Sequence, residues 1–326
     1  MRFQIVLKDC LPELIEIARF RGICGLVLVL FGGLLATVIL APMGAAAEPT
    51  VATPTPAARV HLPLILKPAG SVSPACPISS TNSYAQGPAT QADTDNPVRP
   101  ADLHADKNLA LRGYVANNDA GLHRELVHYI FASIQPPQFA TLFSPNRVPP
   151  LVGFYRVHDW IWSPSPAPGS RGAPLMRWRA TALGLQVSPG ETLHVPTSAY
   201  DIGQGYEVIV LHADERRVAL HYGREDSAAR GYTVHIEGLC TDPNLLALYN
   251  QLNATNGPRY VFPASQYPLP VLPAGQPIGV TRGNEVVIAI VDSGEFMDPR
   301  SCNEWWQIRP GYTGTCPSHE LSALSE

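Results

Sequence analysis

Charge is scarce in this chain. Only 15% of its 326 residues are Asp, Glu, Lys or Arg, and acidic groups outnumber basic ones by 27 to 23, a formal net charge of -4. Without a basic surplus there is no electrostatic footprint for a polyanion, so nucleic acid is not an expected partner. The chain also has no C-x-x-C pair, and its six cysteines match no zinc-cluster spacing. It lacks a Gly-x-Ser-x-Gly elbow, a P-loop and a dinucleotide fingerprint, which removes the usual sequence routes to acyl transfer, phosphoryl transfer and hydride transfer. One Asp-Ser-Gly occurs, at 292–294. A bilobed aspartic protease needs two, and a β-turn explains the tripeptide. No internal repeat is visible.

Proline, by contrast, is abundant. The chain has 33, about twice the usual ~5% usage. Proline donates no backbone N–H, and such a composition favours strands, turns and loops over long helices. The first fifty residues are of another kind. Arg2, Lys8, Arg19 and Arg21 precede an uncharged run from Ile23 to Ala47 that closes on Ala45-Ala46-Ala47. A basic flank, an apolar core and small residues before Glu48 are the features of a secretory signal. The run is also long enough to span a bilayer as an uncleaved anchor. In either case the basic flank keeps the N-terminus inside and the remainder outside the cytoplasm, secreted or membrane-anchored.

Four cysteines fall in the exported part: Cys76, Cys240, Cys302 and Cys316. An oxidising compartment makes disulfides the natural reading. Four cysteines allow three full pairings, of which the favoured one joins Cys302 to Cys316, closing a C-terminal loop, and Cys76 to Cys240, fastening the linker to the domain. Residues 48–100 read as a Pro/Ser/Thr-rich linker or stalk with too little apolar surface to fold. Residues 101–185 read as a β-rich N-terminal region, with strands expected at Asn108–Tyr114 and Gly153–Trp162 and a short helix around Leu122–Ser133. Trp160 and Trp162 are two apart on one expected strand and so share a face. They are either core or an aromatic platform for ligand, with the Pro/Gly/Ser loop Ser163–Pro174 overhanging.

The second half is more regular. Tyr206–Leu211, Arg217–Tyr222, Tyr232–Glu237 and Glu285–Val291 are strand candidates. In the third, Tyr232, Val234 and Ile236 point one way and Thr233, His235 and Glu237 the other. Thr241–Asn253 reads as a helix capped by Thr241 or Asp242, with Pro243 in its first turn. The Pro-rich 257–277 reads as a long loop. Trp305 and Trp306, read as strand residues, would face opposite ways, one sealing the core and one available to a ligand; the alternative is that both pack under the C-terminal loop.

Gly231-Tyr232-Thr233-Val234, Leu248-Tyr249-Asn250-Gln251-Leu252, Leu272-Pro273-Ala274-Gly275-Gln276-Pro277-Ile278-Gly279 and Gly294-Glu295-Phe296-Met297-Asp298-Pro299 stand in an order that resembles the lysostaphin-like (LytM-type) zinc metallopeptidase domain, over about 186–300. That resemblance implies a barrel-sandwich-like β scaffold, and in the family an enzyme that cuts peptide crosslinks of bacterial cell walls. It implies the family's chemistry only where the residues match. The family's His-x-His falls on Glu285 and Val287, and valine cannot bind zinc. The assisting His falls near Asn250 or Gln251. His194 and Asp201 stand seven apart rather than four.

The fold expectation is therefore mostly β: a barrel-sandwich-like domain with a short helical insertion, preceded by a smaller β-rich region and a Pro-rich stalk, and followed by a tail at 301–326. The functional expectation is an exported cell-envelope module without catalysis and without a cofactor, meeting cell-wall peptide, glycan or an envelope protein. The alternatives are a zinc hydrolase with ligands relocated to His194, Asp201, His221 and His235 and with Glu237 as general base, and a structural spacer.

Overall fold

A strand hydrogen-bonded on both sides and covered on both faces carries apolar residues in near-continuous runs, and the second half of the chain has several such runs. The computed structural model describes residues 75–90, 100–119, 136–164, 167–228, 230–256 and 266–307, all of them within one compact unit, Leu66–Glu326. The expected leader, the possible helix at 122–133 and Cys316 lie outside the described residues.

The protein is mostly β. Its large antiparallel sheet runs in the order β1 (Ala85–Thr90), β11 (Gln266–Leu272), β7 (Val208–Asp214), β8 (Arg217–Tyr222), β9 (Tyr232–Glu237), β13 (Glu285–Asp292), β5 (Ala182–Gln186), β3 (Leu151–Ile161) and β2 (Tyr114–Ala116). Two short strands extend it: β4 (Ser170–Pro174) beside β3 and β14 (Glu295–Phe296) beside β13. A second sheet of three strands has the order β10 (Leu239–Thr241), β12 (Pro277–Thr281), β6 (Thr192–His194). Helix α2 (Pro243–Asn256) lies among the strands in sequence, as expected. Asp242 caps it, its Oδ1 accepting from the Asn244 and Leu245 amides at 2.9 and 3.4 Å.

One face of the large sheet carries the main core. Leu183, Leu185, Val208, Val210, Leu220, Val234, Ile236, Val286, Ile288 and Ile290 meet there with no exposure, joined by Phe139, Leu142, Leu245 of α2 and the two indoles Trp305 and Trp306. The opposite face is covered as well, and this departs from the expectation of a solvated polar side: Thr233 and His235 are 0% and 2% exposed. Small residues line that face (Ala182, Ala219 and Ala289 are all buried), so a cover can approach the backbone closely.

Several boundaries move. Asn108–Tyr114 is not one strand: Asn108 accepts from the Ala110 amide and starts a helical turn, α1 (Leu109–Arg112), before β2. Residues 75–90 do not behave as stalk, because β1 pairs along its length with β11 inside the stretch expected to be a loop. The 163–174 loop ends in β4. Strands β2, β3 and β5, from the expected N-terminal region, complete the same sheet as β7, β8, β9 and β13. In the second sheet Gly279 is required: at φ +153°, a Cβ there would lie 2.2 Å from the Cys240 carbonyl oxygen. The Ser293-Gly294 turn joins β13 to β14 with φ of 49° and 87°, the doubly positive pair of a tight hairpin. That accounts for the lone Asp-Ser-Gly.

Cys76 and Cys240 form a disulfide, as expected from the sequence, across a separation of 164 residues. Cross-linking so long a loop restricts the unfolded chain by ~2–4 kcal/mol. Cys76→Ser should lower the non-reducing thermal midpoint by about 5–15 °C; an unchanged midpoint would show that the strand pairing of β1 already holds this segment.

Candidate functional site

The polar groups of the sheet gather on its second face, beneath the segment Ala101–Arg112. Along β7 strict alternation would send Val208, Val210 and His212 to one side, with His212 in the apolar core. The register with β8 shifts between Val210 and His212, so His212 stands opposite Ala219 and Ala213 opposite Val218. This bulge returns Ala213 to the core and turns His212 onto the second face, the re-aiming that bulges bring about. There His212 joins Arg217 of β8 and His235 and Glu237 of β9, and Lys107 and Leu109 close the gap above them.

Glu237 is the hub. Its carboxylate meets Arg217 Nε at 3.1 Å and accepts from the Tyr114 hydroxyl at 3.1 Å. Burial pushes its carboxyl upward against the opposing pull of Arg217 and Tyr114. Arg217 is shared, since its Nη1 also lies 2.8 Å from Asp214, whose second neighbour is His212 Nε2 at 3.6 Å. Burial would raise Asp214, but the nearby His212 ring, the hydrogen bond from the Arg216 amide and the charge of Arg217 bring it below its ordinary value. Arg112 reaches down from α1, ion-paired with Asp106, donating to the His158 carbonyl at 3.0 Å and lying over the Phe296 ring. His235 stacks on the same Phe296 ring at 5.9 Å. Among the described residues no hydrogen-bond partner meets His235 Nε2 or either ring nitrogen of His212. Beside this group the paired Gly153 and Gly184 leave room for the Glu285 carboxylate, which accepts from the Tyr155 hydroxyl at 2.6 Å.

The relocated zinc set does not assemble. His221 is buried on β8, its Nδ1 2.9 Å from the Thr233 hydroxyl. His194 lies on β6 in the other sheet, its Nδ1 3.3 Å from the Leu142 carbonyl oxygen, and Asp201 accepts from the Gly203 amide in a loop. Only His235 and Glu237 of that set stand together at the gap. Among the described residues no three His, Cys, Asp or Glu side chains form a metal-holding group.

The aromatic candidates are occupied too. Trp160, on β3, and Trp162, just past the end of that strand, have their rings 6.3 Å apart. Trp160, however, is 8% exposed and donates its Nε1 proton to the Pro168 carbonyl, so the expected overhang covers it. Trp162 packs edge-on against His104. Trp305 and Trp306 are not in a strand. Trp305 ends the helical turn α3 (Cys302–Trp305) and Trp306 follows it, so side chains about 100° apart both turn inward, fully buried. Their indole protons go to the Asp298 and Pro299 carbonyls. Cys302 is disulfide-bonded. Around these rings Arg300 and Asp298 form a buried ion pair, and Ser301 donates to Glu304. Burial lifts the Glu304 carboxyl to about 7.

Sequence reasoning found His235 and Glu237 and missed His212, Lys107, Arg112, Arg217 and Tyr114. The one available signal was His212 itself, a polar residue at an apolar position of an otherwise apolar strand. No protein-family model matches the chain, and no curated protein matches it.

Two pH responses of opposite sign follow. Burial, with the charges of Arg112 and His212 adding to it, depresses His235 to about 3. The folded state then binds fewer protons than the unfolded one, so stability falls as pH drops below ~6.5, by ~2 kcal/mol at pH 5. His235→Phe should remove that slope in urea titrations between pH 7 and 5; parallel slopes for variant and wild type would refute it. Glu304 is raised, so its contribution is intact below ~4.5 and is lost as pH rises through 7. Glu304→Gln should therefore be more stable than wild type at pH 8, by ~2–3 kcal/mol, and nearly equal to it at pH 4.5.

Proposed function

We propose that this chain is an exported cell-envelope module that binds rather than cuts, built on a scaffold like that of the lysostaphin-type peptidases with the catalytic metal site lost. One observation carries the reading. The residues on the second sheet face that have catalytic chemistry are sealed beneath Ala101–Arg112, with Lys107 1% and Leu109 1% exposed, and the one carboxylate among them suited to act as base is already paired. A general base must come within hydrogen-bond reach of a substrate proton, and Glu237 is instead held by Arg217 and Tyr114. The leader-like N-terminus and the Pro-rich segment after it support display outside the cytoplasm, either released or anchored. The Cys76–Cys240 disulfide suits an oxidising compartment. The partners in this reading are cell-wall peptide, wall glycan or an envelope protein.

The alternative, a zinc hydrolase, draws on the imidazole nitrogens of His212 and His235 that lack hydrogen-bond partners. Elemental analysis of the purified protein separates the two. Zinc well below one per chain, retention on purified wall material above a control protein and no release of crosslink fragments are the expected results. Near-stoichiometric zinc that is lost in His235→Ala would establish the hydrolase instead.

A further inference from the structure

The second sheet carries a groove of about 470 Å³, lined along one side by residues 77–82 and sharing no lining residue with the sealed face. Its floor is a row across three strands, Cys240 of β10, Val280 of β12 and Thr192 of β6, which stand opposite one another in the register. The core-facing residues of the same strands, Leu239, Ile278 and Leu193, have no exposure, so the groove lies on the outer side.

The wall is fixed to the domain at several points. Cys76 is cross-linked to Cys240. The Asp242 carboxylate accepts from the Ser80 hydroxyl at 2.6 Å and from the Asn82 amide at 2.7 Å. Asn244 donates to the Ser80 and Asn82 carbonyls at 3.0 and 2.7 Å, and Gln276 to that of Ser83 at 2.8 Å. The Tyr84 hydroxyl donates to the Pro277 carbonyl at 2.9 Å. A segment pinned by a covalent bond and side-chain hydrogen bonds keeps the groove open in advance, at a volume ordinary for small-ligand sites. Preorganisation of this kind lowers the entropy lost on binding.

The lining selects the chemistry. Ser79, Thr81 and Thr192 are exposed hydroxyls that both donate and accept, and Pro77, Pro243 and Pro277 offer flat apolar rings. Among the described residues the one charged group of the lining is Asp242, an acid. With no Lys, Arg or His among the described residues of the lining, a phosphate or carboxylate ligand would meet the Asp242 charge and no counter-charge there. A large apolar ligand would leave the hydroxyls without partners. A ligand dense in donors and acceptors, with small apolar C–H faces between them and no charge, satisfies both restrictions.

We propose that this groove is a binding site for a short neutral saccharide. The inference rests on the reading of the protein as a binding module and gives that module a place and a ligand class. The test titrates the full-length protein with chitotriose, maltotriose and cellotriose by calorimetry, with a Lys-containing tripeptide and inorganic phosphate as comparisons. Saturable binding of at least one trisaccharide is expected, abolished by Thr81→Trp, which fills the groove from its exposed wall, and weakened several-fold by Thr192→Val, which removes a hydroxyl and keeps the shape. Unfolding midpoints of both variants should match wild type, since both positions are exposed. Binding of the tripeptide or phosphate without any trisaccharide would overturn the ligand class, as would no saturation by any trisaccharide. Trisaccharide binding undiminished in Thr81→Trp would overturn the location. Retention of Thr81→Trp on wall material at the wild-type level would overturn the groove as the wall contact while leaving the binding-module reading intact.

Discussion

The structure depends on covering both faces of one antiparallel sheet when the second of them mixes charged groups with smaller apolar clusters. The first is closed by close-packed aliphatic side chains and the two C-terminal indoles, and needs nothing but complementary shape. The second carries His212, Arg217, His235 and Glu237, whose removal from water is costly unless each charge is paired. Arg217 meets that requirement on the sheet for Asp214 and Glu237, and the cover, Ala101–Arg112, meets it for Arg112 through its own Asp106. The cover brings Lys107, Arg112 and the partner carboxylate Asp106, while the following strand supplies the Tyr114 hydroxyl. Small residues beneath it, among them Ala219 and Ala289, let it descend onto the sheet. Since breaking a buried ion pair costs more than forming it stabilises, this arrangement fixes where the segment lies more than it adds to stability.

The same closure decides what the second face can do. Groups of the kind used for proton transfer are present, but Glu237 is ion-paired with Arg217 and the two imidazoles are buried beneath the covering segment. The residues that a relocated metal site would need are divided between two sheets and a loop, with His194 and Asp201 far from the His235 face in their contacts. Chemistry at the outer side of the small sheet is of another sort. There the chain leaves space, rims it with hydroxyls and holds its wall with a disulfide and side-chain hydrogen bonds. One part of the molecule is sealed by charge pairing and the other is kept open by covalent and hydrogen-bonded anchoring.

How far the fold could be read from the sequence varies by element. β8 and β9 were legible to the residue because each is a clean period-two segment between turn residues, and α2 because Asp242 and Pro243 announce its start. β1 and β11 were not, because Ala85–Thr90 and Gln266–Leu272 contain proline and lack β-branched runs; their pairing with each other, with Pro88 opposite Pro268, makes them strands. Trp305 and Trp306 were misread because a two-residue signal cannot tell strand from helix. In the candidate site, His235 and Glu237 could be placed on one face by alternation, while His212 needed a bulge that depends on the pairing of β7 with β8.

The sequence by itself determined the class of the fold, the strand alternation in β8 and β9 and the capped helix, because each follows from local propensity. The pairing of Cys76 with Cys240, one of three full pairings the four cysteines allow, was settled by the tertiary structure. Only the tertiary structure decided that the polar side of the sheet is buried, that Lys107 and Arg112 cover it, that His212 belongs to it and that a hydroxyl-lined groove opens elsewhere. Those outcomes come from contacts between residues up to about two hundred positions apart, such as Gln276 with Ser83 and Tyr114 with Glu237. Local periodicity carries no record of which distant segment will lie across a face.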